Sequence, residues 1–425
     1  MAMSIMAMGL SWLAAAPARA TGPNTHCPNI TPVYYTLIDC SDQVTWTSVY
    51  PGGAVLDTDN SYLVMYQLGS GGTGEPLYEN AADLLAQSSY SATGGTPMCL
   101  DSSGSGFDPG PLQIPSGPMI GTYSNNVGQG TVWAQNRSGG AGTSWCPHPP
   151  TAEPYVCAGA DAGTDPGLGS DEASDRRMHG FAYVIYASKV QLTQTTVAFS
   201  VHARSVSASE ANGGGCGSST DYSVVTKCDT PTPTDGTCTG NGPNGHKQKR
   251  SICASSNATD GVICVWNSYN LSSTRQIWAR LGTETSGSLT FTSAAFNITG
   301  SGPTGPCPGC AAAYGSTCTD QYNPFAIRIA STDLRIYFTC DGSVNPAVVK
   351  SNDGGSSWVP DNAGGGYSGG YFTLPGTPQT GGPGNAARMV LVQDSVHANR
   401  VVMLGSWQDN TGGCGNCWIL GAWQA

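Results

Sequence analysis

The sequence predicts an all-β fold, specifically a disulfide-rich β-propeller of six blades in one domain, and three observations lead there. Short runs of β-branched and aromatic residues recur along the chain, each bounded by Gly, Asn, Asp or Ser. Glycine (58) and proline (28) are too frequent among 425 residues for a helical bundle, because both cost most inside helices. Cysteine is also frequent and even in number, 16 in all, which in an exported chain marks a disulfide framework.

The runs set the order of the elements. Six of them are Tyr62–Tyr66, Pro118–Tyr123, Tyr183–Tyr186, Ile263–Trp266, Arg335–Phe338 and Val401–Leu404. A second run follows most of them: Gly130–Trp133, Thr195–Phe199, Arg275–Ala279, Ala347–Lys350 and Cys417–Leu420. Several copies open with a further strand before an Asp-containing turn, as in Ala54–Asp57, Ala326–Asp333 and Arg388–Asp394. Strand, turn, strand at a loose period is the pattern of blades that bury their faces by stacking around an axis. A pair of β-sandwiches or a β-helix also alternates short strands with Gly turns, and both stay open here. The stretch of about 205–258, rich in Gly, Cys and Thr, is expected to be a disulfide-pinned insertion.

The N-terminus reads separately. Ile5–Pro17 is apolar but too short to span a bilayer, and Ala18-Arg19-Ala20 offers a small-x-small cleavage site. Residues 1–20 are therefore expected to be a signal peptide and 21–425 the propeller domain, secreted or periplasmic and not an integral membrane protein. All 16 cysteines follow that site. The pairs Cys307-Pro-Gly-Cys310 and Cys414-Gly-Asn-Cys417 are read as disulfides; a zinc or redox site built from them is the alternative.

Charge narrows the partners. The net charge is −11 with 17 Lys and Arg, so nucleic acid is excluded: too few cations face its phosphates. The one basic run, Lys247–Arg250, is read as a solvated turn. Asp161, Asp165, Asp171, Glu172 and Asp175 gather on a Gly-rich loop that could hold Ca²⁺, yet they lack the spacing of a calcium loop and are read as solvated. No other cofactor is expected. Gly69–Gly74 satisfies GxGxxG, with a short helix conceivable over 79–87, and Gly366–Gly370 satisfies GxSxG. Neither sits in the βαβ or strand-to-helix context that its chemistry needs.

Ser351-Asn-Asp353-Gly-Gly355-Ser-Ser-Trp358 resembles the Asp-box of sialidases and related repeat propellers. In such a turn Asp353 accepts backbone N–H bonds, Gly355 takes positive φ and Trp358 packs into the blade. The wording of Asp59–Tyr66, Gly180–Ser188 and Thr196–Ser200 is also similar to arabinanase-type glycosidases, although Pro51-Gly-Gly53 stands where that pattern carries an Asp. These resemblances imply a carbohydrate-binding propeller, a sialidase-like glycoside hydrolase if catalytic, with the Asp-box structural and peripheral.

Arg177, Arg328 and Arg388 each lie at or near the start of an expected inner strand, which would direct three guanidinium groups at one channel mouth. Sialidases grip a substrate carboxylate with such a cluster, since the planar fork binds it bidentately. Strand-end capping or pairing with loop carboxylates is the plainer account. A hydrolase would further need paired carboxyl groups, for which Glu75, Glu79 and Glu172 are candidates. A non-catalytic exported binding or assembly protein on the same scaffold is the competing expectation.

Overall fold

The computed structural model describes residues 27, 35–41, 48–70, 73–97, 107–113, 119–124, 132–137, 177–179, 181–191, 197–206, 220–225, 248–269, 274–300, 305–331, 333–341, 343, 345–364, 366–374, 389–397, 400–409 and 417–425. After a lone strand β1 (Thr36–Cys40), sheet I holds β2 (Ser48–Leu56), β3 (Tyr62–Ser70), β4 (Thr73–Ala81) and β5 (Thr96–Pro97). Sheet II is β6 (Phe107–Gln113), β7 (Met119–Ser124) and β8 (Val132–Arg137). Sheet III is β9 (Arg177–Met178), β10 (Phe181–Gln191), β11 (Val197–Val206) and β12 (Asp221–Val225). Sheet IV contains β13 (Gln248–Ser255), β14 (Gly261–Tyr269), β15 (Arg275–Thr285), β16 (Ser288–Thr290) and β17 (Phe296–Asn297). Sheet V contains β18 (Gln321–Arg328), β19 (Leu334–Cys340), β20 (Ala347–Ser351), β21 (Val359–Pro360), β22 (Tyr367–Ser368) and β23 (Tyr371–Phe372). The last, sheet VI, joins β24 (Met389–Asp394), β25 (Arg400–Asp409) and β26 (Cys417–Gln424) to β1.

Five sheets are thus each drawn from one stretch of chain, and one is closed by both ends of the described chain. The closure is antiparallel, from Thr36 opposite Ala422 to Cys40 opposite Ile419, and a Cys27–Cys40 disulfide ties down the segment before β1. Each of the six apolar runs is the second strand of its own sheet, and the runs after them are third strands. Their alternating Val, Ile, Leu and aromatic residues bury both faces: Tyr62, Trp266, Tyr337, Met403 and Leu404 are 0–1% exposed. Such two-sided burial requires a sheet on either side.

The packing supplies those sheets in turn. β6 lies on β2, β3 and β4; β13 on β9, β10 and β11; β18 on β13, β14 and β15; β24 meets β18, and β2 packs on β24, β25 and β26. From sheet III through IV, V, VI and I to sheet II, each first strand therefore sits against its neighbour's first strand, so the first strands gather about a common axis. That is a propeller's inner ring.

Several expectations need correction. Within the stretch 205–258 the described residues finish β11 and supply β12 and all of β13. The basic run is no solvated turn, since Gln248–Arg250 opens β13. Residues 79–81 stay in β4, paired with β3 as far as Tyr62 opposite Ala81, and a 3-10 turn follows only at Gln87–Ser89. The described α-helix is short, α1 (Cys310–Tyr314). Residues 1–20 and the acidic loop 161–175 lie outside the described residues.

Cys253–Cys264, Cys307–Cys310 and Cys318–Cys340 are further disulfides, and no described cysteine is free. The Cys307–Cys310 sulfurs are thus spent on each other and fully buried, not available to zinc. The turn after β20 is closed from within. Asp353 Oδ1 accepts from Ser357 N (2.9 Å) and from Ser351 Oγ (2.8 Å), which itself accepts from Gly355 N (2.8 Å). Gly355 has φ +97, and Trp358, 1% exposed, donates its indole N–H to Gly355 O. No described helix is long and apolar enough to cross a membrane.

Candidate functional site at the channel edge

A first strand pairs on one side only, so its other edge faces the axis. Four of these strands break register there: between Pro51 and Gly53 in β2, Phe107 and Gly110 in β6, Lys249 and Ile252 in β13, and Tyr322 and Phe325 in β18. The strand ends follow at Leu56, Gln113, Ser255 and Arg328, so in each the last bulged residue (Gly52, Pro109, Ser251, Pro324) lies four residues ahead of the end. The bulges therefore share one depth. A Cβ on Gly52 would come within 1.7 Å of the Pro109 carbonyl oxygen, which places two neighbouring bulges in backbone contact. Proline suits this edge because no ladder bond is lost there. Bulges free residues from the alternation that packs a strand between sheets, and they cluster beside functional sites. Asn323 is one residue so freed. Asn323 is half-buried with φ +52, a region Asn tolerates better than most residues. Sequence reasoning passed over these positions, although Pro and Gly inside a strand pattern are a bulge signal.

The expected arginines fall differently from the sequence reading. Arg328 does not start an inner strand; it is the last residue of β18, opposite Leu334. The bulge at Tyr322–Phe325 accounts for the shift, since β18 begins at Gln321, five residues before the run Ala326–Asp333 suggested. Arg328 is half-buried, and its Nε is buried with no hydrogen-bond partner. Among the described residues no carboxylate pairs with it. Arg177 belongs to the two-residue strand β9, directly ahead of the turn at His179. His179 N meets Ser255 Oγ at 3.3 Å, which levels β9 with the end of β13. Arg177 and Arg328 thus share the hairpin end of the ring, in sheets III and V. Arg388 lies outside the described residues, just ahead of β24.

Other charged groups serve the fold. Where sheet VI meets sheet I, Asp394 is fully buried and accepts from Tyr62 OH (2.8 Å), His397 N (3.0 Å) and Arg400 Nε (3.0 Å). Burial opposes its charge, yet these donors hold its carboxyl below the usual range. Burial first, then Asp394, pushes Tyr62 up to about 12. Arg400 also pairs with Asp83, so the cluster Asp83, Asp394 and His397, which has metal-ligand chemistry, already contains its cation. Deeper in the same seam Tyr66 OH contacts Asp39 (2.7 Å) and Glu79 (3.0 Å) and accepts from Gly95 N. Glu79 is therefore a structural carboxyl, only 7% exposed. Glu75 is half-buried in β4, and burial raises its pKa; Glu172 lies outside the described residues. In sheet V, Arg335 grips Asp333 through two hydrogen bonds and stacks over Tyr367. Arg275 binds Asp320 in the same forked way, ahead of β18.

The nucleotide-like Gly69–Gly74 is the β3–β4 hairpin tip, and Gly366–Gly370 is a turn around β22 with positive φ at Gly366, Gly369 and Gly370. Neither opens a helix.

No family model and no curated protein matches the chain. Among solved structures it is similar to an α-L-arabinanase of Penicillium chrysogenum complexed with arabinobiose, at TM-score 0.49 and 9% identity over 93% of this chain and 99% of that one. An α-L-arabinofuranosidase of Fusarium graminearum follows at TM-score 0.48 and 8% identity, covering 92% and 98%. A Hadza microbial sialidase gives 0.39 and 10%, covering 83% and 65%. These likenesses are too distant to carry chemistry. The fold stands on the molecule itself: sheets packed one on the next from III through VI and I to II, first strands innermost, and one sheet closed by both ends of the described chain make the chain a disulfide-bonded, all-β propeller.

Proposed function

We propose that this is an exported carbohydrate-binding propeller of six blades, sialidase-like in taking an acidic glycan at the hairpin-end mouth of its channel. One observation carries the reading. Arg328 is a half-buried cation at the innermost strand, without a carboxylate partner among the described residues, in a chain of net charge −11. A guanidinium whose Nε is cut off from water is costly unless an anion binds its remaining N–H groups. Arg177, at the same end, is the second ligand of that anion, and Arg388 completes the set if residues near it return to the mouth. The four described disulfides support export, and the closed turn Ser351, Asp353, Gly355 and Trp358 supports an Asp-box held away from the ligand.

Whether a bond is cleaved is a separate matter. Asp39, Glu79 and Asp394 are spent on internal hydrogen bonds, which favours a non-catalytic binding protein as the second reading. Binding of a sialylated or uronate-bearing oligosaccharide, measured by calorimetry, tests the proposal. Arg328→Gln is expected to weaken it about ten-fold, the loss of one charge-assisted contact, with unfolding unchanged. Equal affinity of the folded variant would refute it.

A further inference from the structure

Deep in the seam between sheets VI and I, one tyrosine hydroxyl meets two carboxyl groups and has a single hydrogen to give them. We infer that Asp39 and Glu79 share one proton across the Tyr66 hydroxyl, carried by Glu79, and that this proton belongs to the closure of the ring. The seam is then a pH-sensitive joint, firm in mild acid and loosened as the proton leaves. The inference does not depend on the glycan reading above.

The Tyr66 oxygen carries one hydrogen and two lone pairs, so it donates once and accepts twice. Three groups meet it: Gly95 N at 2.6 Å, Asp39 Oδ2 at 2.7 Å and Glu79 Oε1 at 3.0 Å. The amide of Gly95 can only donate, and it takes one lone pair. A Cβ on Gly95 would come within 2.5 Å of the hydroxyl oxygen, so glycine is what admits that N–H. Burial above all, then the two carboxyls, keeps the Tyr66 hydroxyl protonated. Its hydrogen goes to one carboxyl. If both carboxyls were ionised, the other oxygen would face a lone pair at hydrogen-bond distance. Tyr66 and Asp39 are fully buried and Glu79 is 7% exposed, so water does not relieve that contact. A proton on the second carboxyl turns it into a third hydrogen bond, and two carboxyls sharing so small a site do not both ionise.

The lengths place the proton. A hydroxyl donating to a charged oxygen gives a contact like the 2.7 Å to Asp39, and 3.0 Å is that of a neutral bond. Asp39 is thus the acceptor, and its Oδ1 also accepts from Cys40 N (2.8 Å). On Glu79 the oxygens divide as in a carboxylic acid: Oε2 accepts from Ser91 N (2.8 Å), and Oε1–H donates to Tyr66. Tyr90, after β4, feels the charges of Glu79, Asp83, Asp394 and Arg400 together. Arg400, the cation among them, is held by Asp83 and Asp394, and His397 also binds Asp394. Asp39 lies in β1, which closes sheet VI, whereas Tyr66 and Glu79 lie in β3 and β4 of sheet I. The shared proton therefore ties the closing strand to the next sheet.

Carbon NMR with isotope label confined to the glutamate carboxyls reads the proton directly, since the chain has six Glu. At about pH 6, well above the ~4.3 of a free Glu, one resonance is expected at the protonated position, and Glu79→Gln should remove it. Gln presents the same donor and acceptor as a protonated Glu, so this variant is expected to fold. Stability carries a matching sign, because folding takes up the proton. The contribution is fully present below about pH 4.3 and is lost as pH rises toward the folded value. Over that window the unfolding constant of the native protein should rise about ten-fold per pH unit relative to Glu79→Gln. Asp394 and Asp353 act in the opposite sense and below about pH 3.9, outside that window. Six ionised Glu resonances at about pH 6 would overturn the inference. So would a protonated resonance that Glu79→Gln does not remove, a parallel pH dependence of the two proteins, or a Glu79→Gln chain that does not fold.

Discussion

The seam between sheets VI and I and the channel edge of β18 use polar residues in opposite ways. At the seam every charge is answered. Asp394 gathers Tyr62, His397 and Arg400, Arg400 reaches on to Asp83, and Tyr66 joins Asp39 to Glu79. At the channel edge, in the neighbouring sheet V, Arg328 and Asn323 are half-buried and have no side-chain partner among the described residues. The seam is where a propeller must be stapled shut, since the first and last described strands pair there, and Cys27–Cys40 secures β1. Satisfied buried networks rigidify and specify. Unanswered polar groups are the ones left over for a ligand.

That contrast can be broken most severely at Asp394. Asp394→Ala strips the counter-charge from Arg400 and a hydrogen bond from Tyr62, and is expected to cost about 3–5 kcal/mol in denaturant unfolding. Its pH signature has a definite sign. The folded carboxyl lies below its unfolded value of about 3.9, so its contribution is present above that pH and is lost as pH falls through the lower folded value. Asp394→Asn should therefore flatten the fall in Tm between pH 5 and 3. A native protein whose acid limb is unchanged by Asp394→Asn would mean the seam is not held by this charge.

Much of this molecule was legible in the sequence, and the reasons differ by element. The apolar runs gave all six second strands because a strand packed between two sheets must be apolar on both faces, as in Leu63–Tyr66. The turn at Ser351–Trp358 was legible because its geometry needs particular residues at fixed places. The inner strands were legible only in part, β24 nearly whole as Arg388–Asp394 and β2 only at its end as Ala54–Asp57, since Pro51, Pro109, Asn323 and Pro324 read locally as turns. It takes the unpaired edge of a ring to tolerate them. For the same reason Lys247–Arg250 looked like a loop, and Arg328 was assigned to the wrong end of its strand. The arginine reading depended on register, which a single bulge shifts.

A milder loss is expected at Asp353, a second fold-committed carboxylate and a check that the contrast is general. Its folded pKa is lowered, since the donors from Ser357 and Ser351 outweigh the effect of burial. Asp353→Ala leaves the turn N–H of Ser357 unpaired and should cost about 1–2 kcal/mol. Glycan affinity should not move. A variant of native stability with weakened binding would place this turn at the ligand and erase the difference between the two regions.

The smallest change in stability should come from Asn323→Gly, and it is the sharpest probe of the comparison. Asn323 already sits at φ +52, a conformation glycine enters freely, so the substitution removes a side chain without asking the backbone to move. The gain from relieved strain and the loss from a more flexible unfolded chain oppose each other, leaving a net effect within about 0.5 kcal/mol, the usual range for a side chain with no packing or hydrogen bond to lose. With no hydrogen bond to lose inside the described protein, Asn323 can be missed only by something that binds it. Glycan affinity is therefore expected to drop about three- to ten-fold while the unfolding midpoint stays put, the cost of one neutral hydrogen bond. If instead the midpoint falls and affinity holds, the bulge is a structural joint like the seam, and the channel edge is no different in kind from the rest of the ring.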